Sequence, residues 1–236
     1  MKLDGRITSR SAGARKRSKA YRGVALEGGV ARWYDARAQK ARAEKQALAL
    51  RVAELLPPSA RVLEVAPGPG YLAIELARLG DYQVTGVDIS ETLLAIARRN
   101  AAREGVDVDF RHGDAAAMPF ENEVFDFVVC QAAFQNFGRP ADALKEIRRV
   151  LKGAGKAVIV DLRRDASGRA INDYVATISG GVLDWLTNQL LFRRLLVRRA
   201  YSRDQLQELL AASEFSDFEI REGPMVLELW ATKSAT

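Results

Sequence analysis

Apolar positions in this chain recur in two rhythms. Short apolar runs closed by Gly, Pro or Asp alternate with longer stretches in which apolar residues return at helical spacing. ARVLEVAPGPG at 60–70 reads as a buried strand ending in a tight turn, and YLAIELARLG at 71–80 as a helix closed by Gly80. The same alternation gives strand YQVTGVDI at 82–89, helix SETLLAIARRNAAREG at 90–105 and strand VDVDFRHGD at 106–114. It continues with strand VFDFVVCQAAF at 124–134, helix ADALKEIRRVL at 141–151 and strand GKAVIVDLRR at 155–164. Repeated strand and helix units predict an α/β domain with a parallel sheet and right-handed crossovers. Before them, residues 31–56 form one helix-rich stretch stopped by Pro57 and Pro58, with Leu48, Val52, Leu55 and Leu56 on a helical period.

Toward the C-terminus, 202–212 predicts a helix capped by Ser202, and FEIREGP followed by MVLELWATK predicts an antiparallel hairpin. Between them, residues 170–199 are apolar and helical in pattern, broken at Gly180 and Gly181. This insertion follows a strand, so it can project over the carboxyl edge of the sheet. Its leucines, together with Val182 and Trp185, suit a substrate lid, a homodimer face or ordinary core.

With 236 residues, 48% of them apolar, the chain can bury a core without disulfides or structural metal. One cysteine, Cys130, and one histidine, His112, argue against a metal site and a Ser-His-Asp triad. The net charge of +6 is uneven: residues 1–45 hold 13 Lys or Arg against 4 Asp or Glu, which leaves the body slightly acidic. Residues 1–30 read as a basic tail and 31–236 as the folded domain. No run approaches 18 apolar residues and no signal-type apolar segment follows the basic start, so a cytoplasmic protein without a membrane span is expected.

The sharpest local signal is GPGYLA at 68–73, a GxGxxA between the first strand and first helix, with Asp88 ending the next strand. Gly68 and Gly70 let the backbone bend and approach a ligand, and a carboxylate at Asp88 suits the two hydroxyls of an adenosine ribose. Glu64 is an acid inside an apolar strand. It would oppose a pyrophosphate at the helix N-terminus but suits a cationic amine, which favours S-adenosylmethionine over a dinucleotide.

These segments resemble the class I S-adenosylmethionine-dependent methyltransferases, especially the group that includes the ubiquinone and menaquinone C-methyltransferases. The resemblance rests on LEVAPGPG at 63–70, VTGVDIS at 84–90, FRHGDAAAMPFENEVFDFVV at 110–129 and ALKEIRRVLKGAGKAVIVDLRR at 143–164. It implies a Rossmann-like, seven-stranded, mostly parallel sheet of order 3-2-1-4-5-7-6, helices on both faces and a helical insertion after strand 5. It also implies that Glu64, Gly68 and Gly70 surround the methionine and sugar parts of the cofactor. Asp88 would bind the ribose, with Ile89 beside the adenine. Asp114 and Ala115 would meet the adenine edge, Cys130 and Gln131 would lie beneath the cofactor, and Tyr34 would close over the methionine end. The family often has glycine where Ala66 stands, and often histidines where this chain has Phe134-Gln135-Asn136-Phe137.

Methyl transfer from a sulfonium is a one-step displacement that needs alignment and no metal or covalent enzyme intermediate. The expected function is therefore in-line transfer to a small-molecule acceptor. No catalytic base is assigned: Gln131, Gln135 and Asn136 can orient but not take a proton, and Tyr34, Asp173 and Tyr174 are candidate helpers. Two readings compete. Arg10, Arg15, Lys16, Arg17, Lys19 and Arg22, with Arg193, Arg194, Arg198 and Arg199, could serve a nucleic-acid or protein methyltransferase, although VVCQAAF lacks the Asn/Asp-Pro-Pro-Tyr/Phe motif of amino methyltransferases. The other is a catalytically silent cofactor-binding module.

Overall fold

The computed structural model describes residues 21–22, 26–215 and 217–235. The basic stretch at 1–20 lies outside the described residues.

The predicted 31–56 helix is two helices, α1 (Gly28–Lys40) and α2 (Arg42–Ala53), separated at Ala41, whose ψ of 17° breaks the helical path. Each has its own anchor. Ala31 of α1 packs on Leu93 and Ile96, while Leu48, Ala49 and Val52 of α2 join the main core. Arg42, at the break, donates to Glu75 at 2.6 Å and to Glu104 at 2.9 Å, which fixes the second helix independently of the first.

Five parallel strands follow: β1 (Arg61–Val65), β2 (Gln83–Asp88), β3 (Asp109–His112), β4 (Phe125–Gln131) and β5 (Leu151–Leu162). The hairpin β6 (Asp217–Glu222) and β7 (Val226–Thr232) completes a seven-stranded sheet of order 3-2-1-4-5-7-6, with β7 antiparallel to β5 and β6. Helices α3 (Tyr71–Leu79), α4 (Glu91–Glu104) and α5 (Pro140–Val150) are the crossovers. Helix α4 begins at Ser90, whose hydroxyl accepts from Leu93 N, and ends at Gly105 in the left-handed region, φ 68°. The apolar side chains of α2, α3 and α4 cover one sheet face, and those of α5 and α9 (Arg203–Ala211) cover the other.

The expected insertion after strand 5 is present as α6 (Gly168–Ile178), α7 (Val182–Leu191), a π turn at Phe192–Leu196 and the short α8 (Val197–Arg199). It has a small core of Ile171, Val175, Phe192, Val197 and Met225, and leaves Val182, Leu183, Leu186 and Leu190 exposed. The fourth strand is shorter than its apolar run: Ala132 turns out at φ 56° and Phe134–Asn136 forms a 3-10 turn across the strand end. Among the described residues no helix is long and apolar enough to cross a membrane.

Candidate functional site

Sheet winding reverses between β1 and β4, and the crevice at such a switch point is where open α/β folds bind ligands. The glycine turn stands there. Gly68 and Gly70 both take positive φ, 56° and 84°, and a Cβ on Gly70 would lie 2.8 Å from Phe110 Cζ and 2.9 Å from Ala97 Cβ. Only glycine satisfies both demands at position 70. Ala66 also adopts the left-handed region, φ 58°, which explains the family's frequent glycine there and strains this chain by about 1 kcal/mol.

Glu64 is 3% exposed, and its Oε2 accepts from Ala73 N at 2.8 Å in the first turn of α3. Burial pushes its carboxyl up to about 7; the Lys45 ammonium and the Ala73 amide pull it back down, and Asp88 adds to the rise. Lys45, on α2, has its own pKa lowered by burial. It is a cation that the strand motif alone does not reveal.

Asp88 is locked by backbone donors, with Oδ2 accepting from Gly68 N at 3.0 Å and Oδ1 from Ser90 N at 2.9 Å. Its pKa is raised, because burial outweighs those amides. The Asp88 carboxylate is thus tied directly to the glycine turn, 20 residues away in sequence.

Tyr34 lies across this turn, its Cε1 3.4 Å from where a Cβ on Gly68 would stand. Burial pushes its phenol up to about 12, and the fields of Asp88, Tyr21, Asp161 and Glu64 add to the rise. Residues before α1 close it further. Tyr21 pairs with Phe137, Arg22 N donates to Asn136 O at 2.8 Å, and Ser90 Oγ donates to Leu26 O at 3.0 Å and Glu27 Oε1 at 2.7 Å.

Ile89 is 37% exposed at the end of β2, an apolar surface suited to an adenine. Asp114 follows β3; its Oδ1 accepts from Ala116 N, and its Oδ2 pairs with Arg139 at 2.9 Å, a competitor invisible to local sequence. Ala115 packs on the core cluster that α5 and α9 cover. Cys130 is fully buried, which raises its thiol pKa and makes it a poor nucleophile. The side-chain Oε1 of Gln131 is buried with no hydrogen-bond partner.

Two other candidates, Asp173 and Tyr174, lie on the helical insertion. Asp173 is exposed and pairs with Arg169 at 3.8 Å, while the Tyr174 ring packs on Phe192 and burial, with Glu44 nearby, raises its phenol to about 12. His112, the last residue of β3, contacts Ile89 O through Nε2. Of the basic groups, Lys and Arg at 10–19 lie outside the described residues, and Arg193 is committed to Gln189, Asn172 and Gly168 O.

Asp161, near the end of β5, was not among the expected site residues. It is 8% exposed, accepts from Gln135 N and Leu162 N at 2.8 Å each, and burial lifts its pKa to about 6. The signal that singles out Glu64, an acid within an apolar strand, is equally present in VIVDL at 158–162.

The residues fit S-adenosylmethionine. A buried acid for an ammonium, a fixed carboxylate for a diol, an orphaned Gln131 oxygen and a turn stripped of Cβ atoms converge at one strand edge.

Known proteins agree. Residues 63–159 match the family described as "Methyltransferase domain". The demethylmenaquinone methyltransferase of Thermus thermophilus is 32% identical over 163 residues, which are 66% of this chain and 74% of that protein. The ubiquinone biosynthesis O-methyltransferase of Roseobacter denitrificans is 35% identical over 128 residues, covering 53% of this chain and 49% of that one. Apart from the Thermus protein, the chain spans about half or less of the length of the curated relatives it matches. Among solved structures, a Methanococcus maripaludis protein shares the fold over 97% of this chain and 99% of its own, with a TM-score of 0.70 and 20% identity. The [4+2]-cyclase SpnF shares it over 81% of each chain, with a TM-score of 0.60 and 22% identity, so the fold by itself does not name the reaction. On family match, relatives and architecture together, the chain belongs to the class I S-adenosylmethionine-dependent methyltransferases, enzymes that here move a methyl group from S-adenosylmethionine to a small molecule.

Proposed function

We propose that Glu64, Gly68, Gly70, Asp88, Ile89, Asp114, Ala115, Cys130 and Gln131 form the cofactor pocket, that Tyr34 closes it, and that the acceptor enters from the β4–β5 side. The observation that carries this reading is the convergence on the glycine turn of Asp88, whose Oδ2 accepts from Gly68 N, of Glu64, whose Oε2 accepts from Ala73 N, and of the Tyr34 ring, which lies against Gly68. Bound S-adenosylmethionine supplies an electrophilic methyl carbon on a sulfonium. The chain's own work is alignment and the exclusion of water. Glu64 holds the ammonium, Asp88 holds the ribose, and Tyr34 covers the methionine end. Gln131 and Gln135 orient the acceptor through side-chain amides. Asp161, mostly ionised at neutral pH with a pKa near 6, is the group we assign to receive the acceptor's proton.

Relatives named for demethylmenaquinone and for an O-methylation step in ubiquinone biosynthesis support an acceptor that presents a hydroxyl, or a ring carbon activated by one. Residues 31–236 serve as the catalytic domain in this reading, residues 170–199 as a cover on the acceptor side, and residues 1–30 as a basic segment that leads into it.

Calorimetry with S-adenosylhomocysteine, NAD and NADP tests the cofactor pocket, with binding of S-adenosylhomocysteine alone as the expected result. Methyl transfer from labelled S-adenosylmethionine to a panel of hydroxylated aromatics tests the reaction. In that assay Asp161→Asn should remove the rise in kcat around pH 6 while leaving S-adenosylhomocysteine binding in place. A dinucleotide response without an S-adenosylhomocysteine response would end the reading.

A further inference from the structure

Beside the proposed methyl-transfer site lies a cavity of about 290 Å³. Its walls carry Arg22, Arg164, Arg198 and Arg199 together with Gln135 and Tyr201, and no Asp or Glu. None of the four guanidinium groups makes a salt bridge or side-chain hydrogen bond among the described residues. Elsewhere in the molecule arginines are heavily engaged: Arg42, Arg51, Arg149 and Arg163 each hold carboxylates. Four like charges around one small space repel one another, and an anion there would relieve the repulsion.

Two further observations point to a ligand. The Tyr201 hydroxyl and Gln135 Oε1 are both buried with no hydrogen-bond partner, and Gln135 is only 4% exposed. Buried polar groups rarely stay unpaired. A tyrosine hydroxyl can donate to an oxyanion, while an amide oxygen can only accept, so the pair suits a ligand that carries both an oxyanion and a hydroxyl.

The cavity also adjoins the reacting end of the site. Gln135 N donates to Asp161 Oδ2 at 2.8 Å, and Arg22 is pinned to Asn136 through its backbone; burial raises the Tyr201 phenol, Arg22 lowers it and Asp161 adds to the rise. Its volume lies at the low end for small-molecule sites, sufficient for a charged group and a ring but not for a long lipid tail.

We propose that this cavity is the acceptor's anion subsite. The enzyme's small-molecule substrate is a hydroxylated carboxylate or phosphate, held by Arg22, Arg164, Arg198 and Arg199, with its hydroxyl toward Gln135. This rests on the reading of the β4–β5 edge as the acceptor side.

The test uses the full chain, with and without saturating S-adenosylhomocysteine, titrated by calorimetry with para-hydroxybenzoate, phenyl phosphate and the neutral para-hydroxybenzamide. At least one anion should bind about tenfold or more tightly than the amide, as charge-assisted bonds to several guanidinium groups require. The Arg164→Gln/Arg198→Gln double variant should lose that preference while its circular dichroism and S-adenosylhomocysteine affinity hold. If the single Arg164→Gln is the only folded variant, it should weaken the anion about threefold or more. Equal binding of anion and amide, no anion binding at millimolar concentration, or an unchanged preference in the variants would overturn the anion subsite. So would methylation of a neutral quinol as efficient as that of any anion, a result that would leave the methyltransferase reading standing. Failure of S-adenosylhomocysteine to bind would instead strike the cofactor pocket, while titrations without it still decide the anion subsite. Tight, arginine-dependent binding of an RNA oligonucleotide with no response to the small anions would overturn the assignment in favour of a polymer.

Discussion

The two ends of the crevice are built on opposite electrostatic plans. At the β1–β2 end the charges are acidic, buried and held by backbone amides: Glu64 by Ala73, Asp88 by Gly68 and Ser90. At the β4–β5 end Asp161 is held by amides in the same way, but the charges of the cavity beside it are basic and unpaired, and its two buried polar groups lack partners. Backbone amides keep the first set rigid without any ligand. The second set is incomplete until something anionic arrives. One end is thus organised before any ligand arrives, while the other leaves its cations and two buried polar groups unpaired.

The largest expected effect is on the rigid end. Gly70→Ala would add a Cβ at 2.8 Å from Phe110 Cζ in a left-handed conformation, and steric strain with backbone strain should destabilise the fold by about 2 to 5 kcal/mol. Urea unfolding would measure it. A loss below about 1 kcal/mol would show that the turn adapts and that the contrast in rigidity is overstated.

Next comes pH. The carboxyl of Glu64 is raised from an ordinary 4.5 to about 7, so the folded, unliganded chain keeps a proton that the unfolded chain has released. That stabilisation is complete below about pH 4.5 and fades as pH climbs to about 7, an effect on the order of 3 kcal/mol. Asp161, raised from 3.8 to about 6, works in the same direction over a lower range. A cationic ligand at Glu64 favours the ionised form, so binding should release protons near pH 6 to 7. Calorimetry in buffers of different ionisation enthalpy would detect that release, and Glu64→Gln should abolish it.

A smaller effect is expected from Asp88→Ala, which should weaken S-adenosylhomocysteine by about 1.5 to 3 kcal/mol through lost charge-assisted bonds. Because Asp88 also caps Gly68 N and Ser90 N, Asp88→Asn is the cleaner companion. Unchanged affinity in both folded variants would remove Asp88 from the ribose.

How much of this could be read from sequence follows from how each end is assembled. The sheet order and the glycine turn rest on short, contiguous segments, and 63–70 and 84–90 meet through adjacent parallel strands. Local pattern is therefore enough for Glu64, Gly68, Gly70 and Asp88. Arg22, Gln135, Arg164 and Arg199 come from four separate parts of the chain, and no local period links them. The break at Ala41 escaped for a related reason: it depends on Arg42 reaching Glu75 and Glu104, partners 33 and 62 residues away. Asp114 was visible, but its pairing with Arg139 was not. Charge counting along the chain was misleading at 193–199, where Arg193 is bonded internally while Arg198 and Arg199 turn to the cavity.

The smallest expected effect separates the basic leader from the cover over the pocket. Removing residues 1–19 takes away seven Lys or Arg but spares Tyr21, Arg22 and Tyr34. Tyr34 lies against Gly68 and Tyr21 pairs with Phe137, so the aromatic groups beside the glycine turn and the β4 end are ones that the truncation leaves in place. Affinity for S-adenosylhomocysteine should then stay within about 1 kcal/mol, the scale of a few surface charges, and the difference should shrink as salt is raised. Calorimetry on the full and shortened chains at two salt concentrations decides it. A larger, salt-independent loss would mean that the leader itself takes part in closing the pocket. A salt-sensitive affinity for RNA or DNA present only in the full chain would give the leader a partner of its own and would extend the basic character of the acceptor end beyond the arginine cavity.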